Sequence, residues 1–394
     1  MIQFRNLRGS RVKGTQAVVS DGKVTTNMGS RERVAVVYSH FPHYREAIFN
    51  ELNKSEKYSY TFFVGSKNRY DLKSGTRLGG IILVNQMVIG PFTIQIGLMR
   101  KLLAGKFSHI IFLGNPYILT NWPYALLARW TGCKVYFWTH GWLNAEGKLR
   151  RVLRNLYYRI PHGLMLYGVR AKSIGTGFGF KERNMHVIYN SLNYESQKTE
   201  RIRIEREDND GSHLSDYIVC VARLTRELKI HQAIEALNVV YRNTGKSIVL
   251  QLIGDGLLRD ELEDLARKLN VNVVFNGAIY DEQRIADIVY HARAMVSPGK
   301  VGLTAMHGLA YGIPIITHGN FDNQMPEVEA IEPGITGDFF KEDDVESLAA
   351  VLTKWMETPR TRKERLRAIA TIEDRYTPRS QVLMIECALA SGDR

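Results

Sequence analysis

The feature that most constrains the fold is a repeated alternation of short apolar segments with longer amphipathic ones. The apolar segments are rich in Val, Ile, Phe and Tyr, as in Arg33–Tyr38 (RVAVVY) and Lys134–Trp138 (KVYFW). Short apolar runs separated by helices predict a parallel β-sheet covered by helices on both faces. The predicted strands are Arg33–Tyr38, Ser59–Val64, Ile81–Val84, Met87–Ile89, His109–Leu113, Lys134–Trp138, Gly163–Tyr167 and His186–Tyr189 in the first half, and Tyr217–Val221, Ile248–Ile253, Val271–Phe275, Ala294–Val296 and Ile313–Thr317 in the second.

The alternation stops and then restarts, which predicts two α/β domains in a chain of 394 residues. We expect a basic, flexible lead-in at 1–30, a first domain at 31–198, and a polar, turn-rich linker at 199–214. A second domain is expected at 215–375. A last apolar helix within 376–394 has no strand after it, and we expect it to pack back toward the first domain.

Charge is distributed unevenly between the two halves. Residues 1–200 contain 29 Lys and Arg against 10 Asp and Glu, whereas residues 201–394 contain 24 against 30. A basic half predicts contact with an anionic membrane surface or a phosphorylated substrate, and a solvated surface without a partner is the alternative. Three scattered cysteines and the absence of an apolar leader in 1–30 favour a reducing, cytoplasmic location.

The segment Leu78–Met99 contains no charged residue. We interpret it as two short strands followed by a helix that begins near Thr93. A membrane-spanning helix is the first alternative. The second alternative is a helix lying in a membrane interface, from Phe92 to Leu103, with Arg100 and Lys101 at its edge.

The segment 297–317 has the order strand, glycine turn, helix, strand. A helix N-terminus offers unpaired N–H groups to an anion, and the glycines allow a phosphate to approach the backbone. Gly302, Leu303 and Thr304 are therefore candidate phosphate-binding residues. The alternative is an ordinary strand-to-helix turn without a ligand.

Two further strand ends carry polar side chains. Arg223 follows the strand Tyr217–Val221, and Lys229 precedes the next helix, so the two cations can clamp a diphosphate. His140 follows the strand Lys134–Trp138 beside a glycine, where an imidazole can project into a cleft. Ordinary loop cations and a surface histidine are the alternatives.

These segments resemble the retaining family-4 glycosyltransferases, which have the GT-B fold of two Rossmann-like domains facing across a cleft. In that family a Glu-Gly-Phe-Gly block is followed, after four residues, by Glu-Ala-x-Ala-x-Gly-x-Pro. Val301-Gly302-Leu303 and Leu309 to Pro314 fit this block. Arg223 and Lys229 match the spacing of the family's Gly-Arg, six-residue, Lys-Gly block. The two family glutamates are absent, since Gly299 and His307 stand in their places.

The resemblance implies roles for particular residues. The diphosphate site comprises Arg223, Lys229, Gly302, Leu303 and Thr304, and His140 faces the donor sugar as the catalytic-site histidine. The resemblance further implies that Gly254, Asp255, Gly277 and Ile279 hold the nucleotide, that Gly299 and Lys300 lie at the donor sugar, and that Asn190 shapes the cleft loop. Where the family glutamates are missing, His307 can still bond a ribose hydroxyl, and Glu327 or Glu329 is close in sequence and can substitute. The N-terminal loop departs from the family, since Pro42 to Arg45 stand where the family has a Gly-Gly pair. Arg45 at the helix start, with His43, is a candidate to meet an acceptor or a phosphate, and a solvated first-turn residue is the alternative.

The expected activity is retaining transfer of a sugar from a UDP- or GDP-linked donor to a glycan or lipid-linked acceptor. The expectation includes no metal, no cofactor beyond the nucleotide-sugar substrate, no nucleic acid, and a place on the inner face of the cell membrane in surface polysaccharide biosynthesis. Because the two glutamates are missing, an inactive GT-B scaffold that binds a membrane or partner remains an alternative. A nucleotide-sugar epimerase on the same fold is a weaker one.

Overall fold

The computed structural model describes residues 31–40, 42–66, 81–142, 147–207, 215–358 and 361–391. The first lobe is built on a sheet of seven parallel strands, in the order β3-β2-β1-β6-β7-β8-β9. Its elements, with the small antiparallel hairpin β4–β5, are β1 (Glu32–Tyr38), α1 (Glu46–Asn53), β2 (Tyr58–Gly65), β3 (Ile81–Val84), β4 (Gln86–Ile89), β5 (Phe92–Gln95), α2 (Leu98–Ala104), β6 (His109–Leu113), α3 (Asn121–Trp130), β7 (Lys134–Thr139), α4 (Lys148–Tyr158), β8 (Gly163–Leu166), α5 (Val169–Gly177) and β9 (Met185–Val187).

The second lobe is built on a sheet of six parallel strands, in the order β12-β11-β10-β13-β14-β15. Its elements are α6 (Tyr194–Glu207), β10 (Tyr217–Val221), α7 (Ile230–Thr244), β11 (Val249–Ile253), α8 (Arg259–Leu269), β12 (Val273–Gly277), α9 (Glu282–Val289), β13 (Met295–Ser297), α10 (Leu303–Ala310), β14 (Ile315–His318), β15 (Gly337–Phe340), α11 (Val345–Glu357) and α12 (Arg362–Arg375), and the chain ends with α13 (Pro378–Ser391). All pairings in both large sheets are parallel, so the carboxyl ends of the strands in each sheet share one edge.

Each sheet is buried on both faces, as the sequence predicts. One face of the first sheet packs against α1 and α13, and the other packs against α2, α3 and α4. The second sheet likewise separates two cores, one with α9, α10 and α12 and the other with α7, α8 and α11. Burial on both faces explains why these strands are continuously apolar rather than alternating.

The last helix returns to the first lobe. Ile385 and Leu389 of α13 are buried in the core that also contains β1 and α1. Gln381 lies at the crossing, where its Nε2 donates to the carbonyl oxygen of Tyr189 at 2.6 Å and its Oε1 accepts from Ser191 Oγ at 2.7 Å. The lobes thus form one compact unit, Glu32–Arg394.

Two interpretations of the segment Leu78–Met99 differ from the structure. Phe92–Gln95 is the strand β5, so the helix expected from about Thr93 begins later, with α2 at Leu98, and the alternative of an interfacial helix from Phe92 to Leu103 is wrong. The pairing of β5 with β4 decides this, because it satisfies backbone groups across the hairpin that a helix would satisfy locally.

The predicted linker 199–214 is helical in its first part, since α6 runs to Glu207. Arg201 of α6 is buried and its Nη1 donates to the carbonyl oxygen of Ala310 at 2.9 Å, so tertiary contact stabilises this polar helix. Residues 208–214 and the predicted lead-in 1–30 lie outside the described residues.

The predicted strands themselves are confirmed to within two residues at each end. The sequence analysis missed β15, α5 and α12. β15 has the sequence GDFF, whose Gly337 and Asp338 hide the strand signal. In the described part of the chain no helix is long and apolar enough to cross a bilayer, so the spanning alternative for Leu78–Met99 finds no support.

Candidate functional site

The first lobe supplies the first wall of the candidate site. This wall surrounds an open cleft at the carboxyl ends of β1, β6, β7 and β8. Its empty volume is about 890 Å³. The lining residues are Tyr38, His40, Pro42, Tyr44, Arg45, Leu113, Gly114, Asn115, Pro116, Tyr117, Trp138, Thr139, His140, Gly141, Arg154, Tyr158 and Tyr167. This is where a doubly wound sheet places its ligands.

His140 stands at the end of β7, as predicted, and lines this cleft. Its ring meets the ring of Tyr167 edge-on, with centroids 4.7 Å apart. Burial, together with the neighbouring guanidinium groups of Arg45 and Arg154 acting in the same direction, lowers the pKa of His140 to about 4. The imidazole is therefore neutral near pH 7, so it can both donate and accept a hydrogen bond.

The predicted acceptor residues lie at the start of α1. His43 and Arg45 belong to a short 3₁₀ turn, His43–Arg45, after β1. The Arg45 guanidinium lines the cleft and is only 4% exposed. The side chain of His43 lies outside the described part of the structure. Sequence reasoning missed the aromatic partners Trp138 and Tyr167, because strand-end tyrosine and tryptophan look like ordinary core residues.

The second wall comprises three loops that follow β10, β11 and β13. They touch one another: the backbone N–H of Leu224 donates to the carbonyl oxygen of Asp255 at 3.0 Å, and Thr304 Oγ1 donates to that of Val221 at 3.1 Å. Arg223 is exposed between these contacts, and no described carboxylate forms an ion pair with it. The structure therefore brings Arg223 and Thr304 to the same loop cluster.

The glycines of this wall serve close backbone packing. Gly254 has φ 145°, and a Cβ there would lie 1.8 Å from the carbonyl oxygen of Ala222. A Cβ at Gly299 would lie 2.3 Å from the carbonyl oxygen of Glu227. The space beside the Gly299 Cα is thus filled by other backbone atoms of the chain, which corrects the expectation that Gly299 leaves room for a phosphate. Gly302, by contrast, faces open space: the nearest atom to its added Cβ is Met325 Cγ at 3.8 Å.

Gly302 caps α10, which begins at Leu303, and no side chain accepts a hydrogen bond from the first amides of this helix. Those N–H groups and the partial positive charge of the helix end can meet an anion. Lys300 is exposed just before this turn. The strand–turn–helix order predicted for 297–317 is confirmed.

Lys229 is engaged in a way the sequence did not indicate. Its Nζ lies 2.6 Å from Asp343 Oδ1 and 3.2 Å from Glu342 Oε1, both just after β15. Burial lowers the pKa of Lys229, but hydrogen bonds from Lys229 to these two carboxylates outweigh it and raise that pKa above its ordinary value. The loop of Lys229 touches Gly299, whose N–H donates to Leu228 at 3.1 Å.

His307 is held by a carboxylate that sequence reasoning missed. Its Nε2 lies 2.9 Å from Glu282 Oε1, and Tyr311 Oη donates to the same oxygen at 2.6 Å. Burial raises the pKa of Glu282, whereas the bonds to His307 and Tyr311 lower it, and the net change is downward. A carboxylate therefore does stand beside His307, supplied by α9 rather than α10.

Gly277 is the last residue of β12, and its carbonyl oxygen accepts from the N–H of Gly254 at 2.8 Å. Asp255 is exposed and its Oδ1 accepts from the N–H of Gly256 at 2.8 Å. Ile279 packs its side chain against the core. A base placed at this edge would meet backbone groups rather than the Ile279 side chain.

Glu327 lies at the junction of the lobes. Its Oε1 accepts from Asn190 Nδ2 at 2.6 Å, the side chain is buried, and burial raises the pKa of its carboxyl group. Glu329 accepts the N–H groups of Val169 and Arg170 at 2.7 and 2.8 Å, which caps α5 of the first lobe. The structure thus shows Glu327 bonded to the first lobe, whereas the sequence analysis expected it at the ribose.

A small open pocket at the junction of the lobes is lined by His140, Arg170, Met325 and Glu329 among others. His140 therefore faces both the first-lobe cleft and the junction with the second lobe. Within the described ranges, no group of three or more His, Cys, Asp or Glu residues is placed to hold a metal ion.

Comparison with known proteins places this geometry in context. Residues 202–372 match the family model of glycosyl transferases group 1. The fold is similar to that of the lipopolysaccharide outer core galactosyltransferase WaaB in its apo form, with a TM-score of 0.67 and 14% identity over 91% of this chain and 99% of that one. No curated protein sequence matches the chain significantly.

Two structures of Anabaena HepE are also similar. The complex with UDP gives a TM-score of 0.67 at 15% identity over 91% of this chain and 100% of that one. The complex with UDP-glucose gives 0.63 at 16% identity, over 91% and 99%. At these identities the similarity shows the fold: two Rossmann-like lobes in the GT-B arrangement, as predicted. Together with the match over 202–372, it supports a glycosyltransferase.

Proposed function

We propose that this protein is a retaining glycosyltransferase that moves a sugar from a nucleoside diphosphate donor to a hydroxyl group of a glycan or lipid-linked acceptor in surface polysaccharide biosynthesis. The observation that carries the proposal is the convergence of three loops, after β10, β11 and β13, around the exposed Arg223 and the uncapped start of α10, within the segment that matches glycosyl transferases group 1. The second lobe holds the donor and the first lobe holds the acceptor.

The proposed mechanism is electrostatic. The bond between the anomeric carbon and the diphosphate oxygen breaks, and Arg223, Lys229 and the α10 amides at Leu303 and Thr304 stabilise the charge that develops on the leaving diphosphate. The acceptor oxygen bonds to the same face of the sugar, and its proton passes to the leaving phosphate oxygen. Neutral His140 orients the sugar by hydrogen bonding. These cations take the role that a metal ion has elsewhere, so the proposed reaction is metal-independent.

Lys229 has to exchange partners in this scheme. Its present contacts, Asp343 and Glu342, follow β15 and hold the ammonium group beside the loop of Gly299. A doubly negative diphosphate offers a stronger counter-charge than either partly exposed carboxylate. The proposed donor is therefore bound by a lysine that its own ion pairs have already positioned.

The donor site is tested by thermal shift of the full chain with UDP and GDP. Arg223→Gln should remove most of the stabilisation, and Arg242→Gln, at the far end of α7, should keep it. UDP is the first candidate because the similar Anabaena HepE structures contain UDP. A shift that survives in Arg223→Gln would contradict the diphosphate clamp.

A second candidate is an inactive scaffold on the same fold. Gly299 and His307 replace the two glutamates of the resembling family, and Gly299 is filled by backbone rather than by a carboxylate. Glu282, bonded to His307, is the compensating carboxylate in the enzymatic proposal. A scaffold would show no stabilisation by any nucleotide and no release of UDP from UDP-sugars.

We also propose that the protein associates peripherally with the inner face of the cell membrane, through α3 and α4. Leu149, Val152, Leu153 and Leu156 have the spacing of one helical stripe, yet all four are exposed and Leu149 is 83% exposed. The buried residues of α4 are Tyr157 and Tyr158. An apolar stripe on the outward face is the pattern of an interfacial helix.

The neighbouring helix continues this surface. Trp130, at the end of α3, is 85% exposed, and Leu126 one turn earlier is exposed as well. α3 and α4 are in contact, since the rings of Trp122 and Tyr157 lie 4.8 Å apart. Tryptophan and leucine on one face suit the headgroup boundary of a bilayer.

The charge of this part of the chain favours an anionic membrane, rather than a second copy of the chain, as the partner of the α3 and α4 surface. Between Leu72 and Lys181 the sequence has fifteen Lys and Arg residues and one acid, Glu146. Two copies would bring like charges together, whereas an anionic bilayer attracts this surface by about 1 kcal/mol for each nearby cation. The surface therefore suits anionic lipid.

Sedimentation with vesicles tests this surface. We expect the full chain to bind phosphatidylcholine vesicles containing phosphatidylglycerol, and to bind pure phosphatidylcholine far less. Leu149→Gln with Leu153→Gln should reduce binding about tenfold, and Leu366→Gln on α12, another exposed leucine, should not. Loss of a dimer in the same double variant, without any change in vesicle binding, would assign the stripe to self-association and refute the membrane proposal.

A further inference from the structure

The first-lobe cleft contains a buried cation that pairs with no carboxylate in the described part of the chain. Arg45 is 4% exposed, and its guanidinium carbon lies 5.3, 5.2 and 5.6 Å from the ring centroids of Trp138, Tyr167 and Tyr44. Its Nη2 donates to Tyr167 Oη, and its Nη1 has no hydrogen-bond partner among the described residues. Glu327 acts on Arg45 through space but is not within ion-pair distance.

Burying the Arg45 guanidinium without an opposite charge is unfavourable unless another interaction compensates for the lost hydration. Taking a guanidinium out of water costs several kcal/mol, and an opposite charge normally compensates. Stacking on aromatic rings returns part of that energy through the ring faces. The rings contact only the face of the guanidinium, so Nη1 at its edge stays without a hydrogen-bond partner among the described residues.

The residues that line the cleft beside Arg45 include no acid. Of the seventeen residues that line the cleft, none is Asp or Glu, whereas Arg154 is a second cation and His140 a neutral donor. Arg154 is held in place, with Nη1 donating to the carbonyl oxygen of Gly141 at 2.9 Å. Tyrosine and tryptophan supply the rest of the wall, and such rings pack well against sugars. The cleft thus combines positive potential with aromatic surface.

We propose that the first-lobe cleft binds an acceptor carrying an oxyanion, a phosphate or a carboxylate, and that Arg45 is the residue that pairs with it. The inference deepens the proposed glycosyltransferase function and rests on it. The planar fork of Arg45 suits two oxygens of one anionic group. A neutral acceptor leaves the buried guanidinium unpaired, so the cleft selects against it.

The test is calorimetric titration of the full chain with three matched ligands: a neutral methyl hexoside, a hexose phosphate and a hexuronic acid. We expect the anionic ligands to bind about tenfold to a hundredfold more tightly than the neutral one, the range of a charged hydrogen bond. Arg45→Gln should remove this difference. Arg183→Gln, an exposed arginine of the same lobe outside the cleft, should preserve it.

Because Arg45 is buried, a second variant is used to separate a loss of folding from a loss of anion binding. Arg45→Lys keeps the charge without the fork and should give intermediate preference, and UDP binding of every variant reports an intact second lobe. An isoprenyl phosphate in detergent forms a separate arm: if it binds in an Arg45-dependent manner and the hexose anions do not, the oxyanion belongs to a lipid carrier.

Two results would overturn the proposal: equal affinity for neutral and anionic ligands, or an unchanged preference in Arg45→Gln. Failure of the glycosyltransferase proposal looks different. In that case UDP binding and UDP release are absent, while the Arg45-dependent preference for anions is judged on its own titration.

Discussion

The first and second walls of the candidate site differ in how their cations are paired. In the second lobe, Lys229 is paired with Asp343 and Glu342. In the first lobe, Arg45 contacts aromatic rings, and no described carboxylate pairs with it. One wall therefore pairs its lysine with two carboxylates, whereas the buried arginine of the other wall has no such pair among the described residues.

The walls also differ in how they are built. The second wall is made of interlocked backbone, with Gly254 against Ala222 and Gly299 against Glu227. The first wall is made of large side chains around an open space of about 890 Å³. Under the proposed function, fixed main-chain groups would hold the donor diphosphate, which is common to many substrates, and side chains would select the acceptor.

Gly254→Ala should give the largest effect and tests the interlocked wall. A Cβ at φ 145° and 1.8 Å from the Ala222 carbonyl oxygen forces the β10 and β11 loops apart. We expect a loss of about 2–4 kcal/mol in the free energy of unfolding, measured by denaturant titration. Gly177→Ala, where an added Cβ meets nothing within 4 Å, should cost far less. Equal losses would show that the second wall is not interlocked.

His140→Ala should lower kcat about a hundredfold with UDP binding unchanged, because a hydrogen bond to the reacting sugar is lost. The wild-type rate should carry no His140 titration near pH 6.5. With a pKa of about 4, the ring is neutral above that pH and becomes charged only as the pH falls through it. Kinetics from pH 4 to 8 and NMR titration of the ring measure both. Unchanged turnover in the variant removes His140 from the mechanism.

Asp343→Asn should give the smallest effect and sharpens the charge comparison. It removes one partner of Lys229 but keeps a side chain that tolerates the left-handed φ of 58° at this position. With less competition for the ammonium group, UDP should bind about threefold more tightly, since exposed pairs contribute below about 1 kcal/mol. Asp344→Asn, whose partner is Lys341, is the control. Weaker UDP binding in Asp343→Asn would mean that the carboxylate positions Lys229 more than it competes.

Much of the fold could be predicted from the sequence. Runs such as RVAVVY and KVYFW predicted strands, and the stop between residues 190 and 217 predicted two sheets. The failures have local causes. β15 begins with Gly337 and Asp338, and α6 is a polar helix that Arg201 secures through Ala310 rather than through its own apolar stripe.

The candidate site was readable only in part. Strand ends and glycine turns placed His140, Arg223 and the Gly302 turn on the right loops. The partners of these residues were not predictable: Lys229 meets Asp343, and His307 meets Glu282, because both carboxylates come from other segments of the chain. Sequence spacing carries no information about such pairs.

By itself the sequence determined which segments are strands. The spacing of apolar residues and the content of β-branched residues favour a strand locally, over a few neighbouring residues. It also determined the basic first half, since charge is simply counted. Only the tertiary structure decided that Arg45 is buried with no carboxylate partner among the described residues and that α4 turns its leucines outward. Burial and pairing depend on what distant segments bring to the same place, and that is fixed only when the two sheets are assembled.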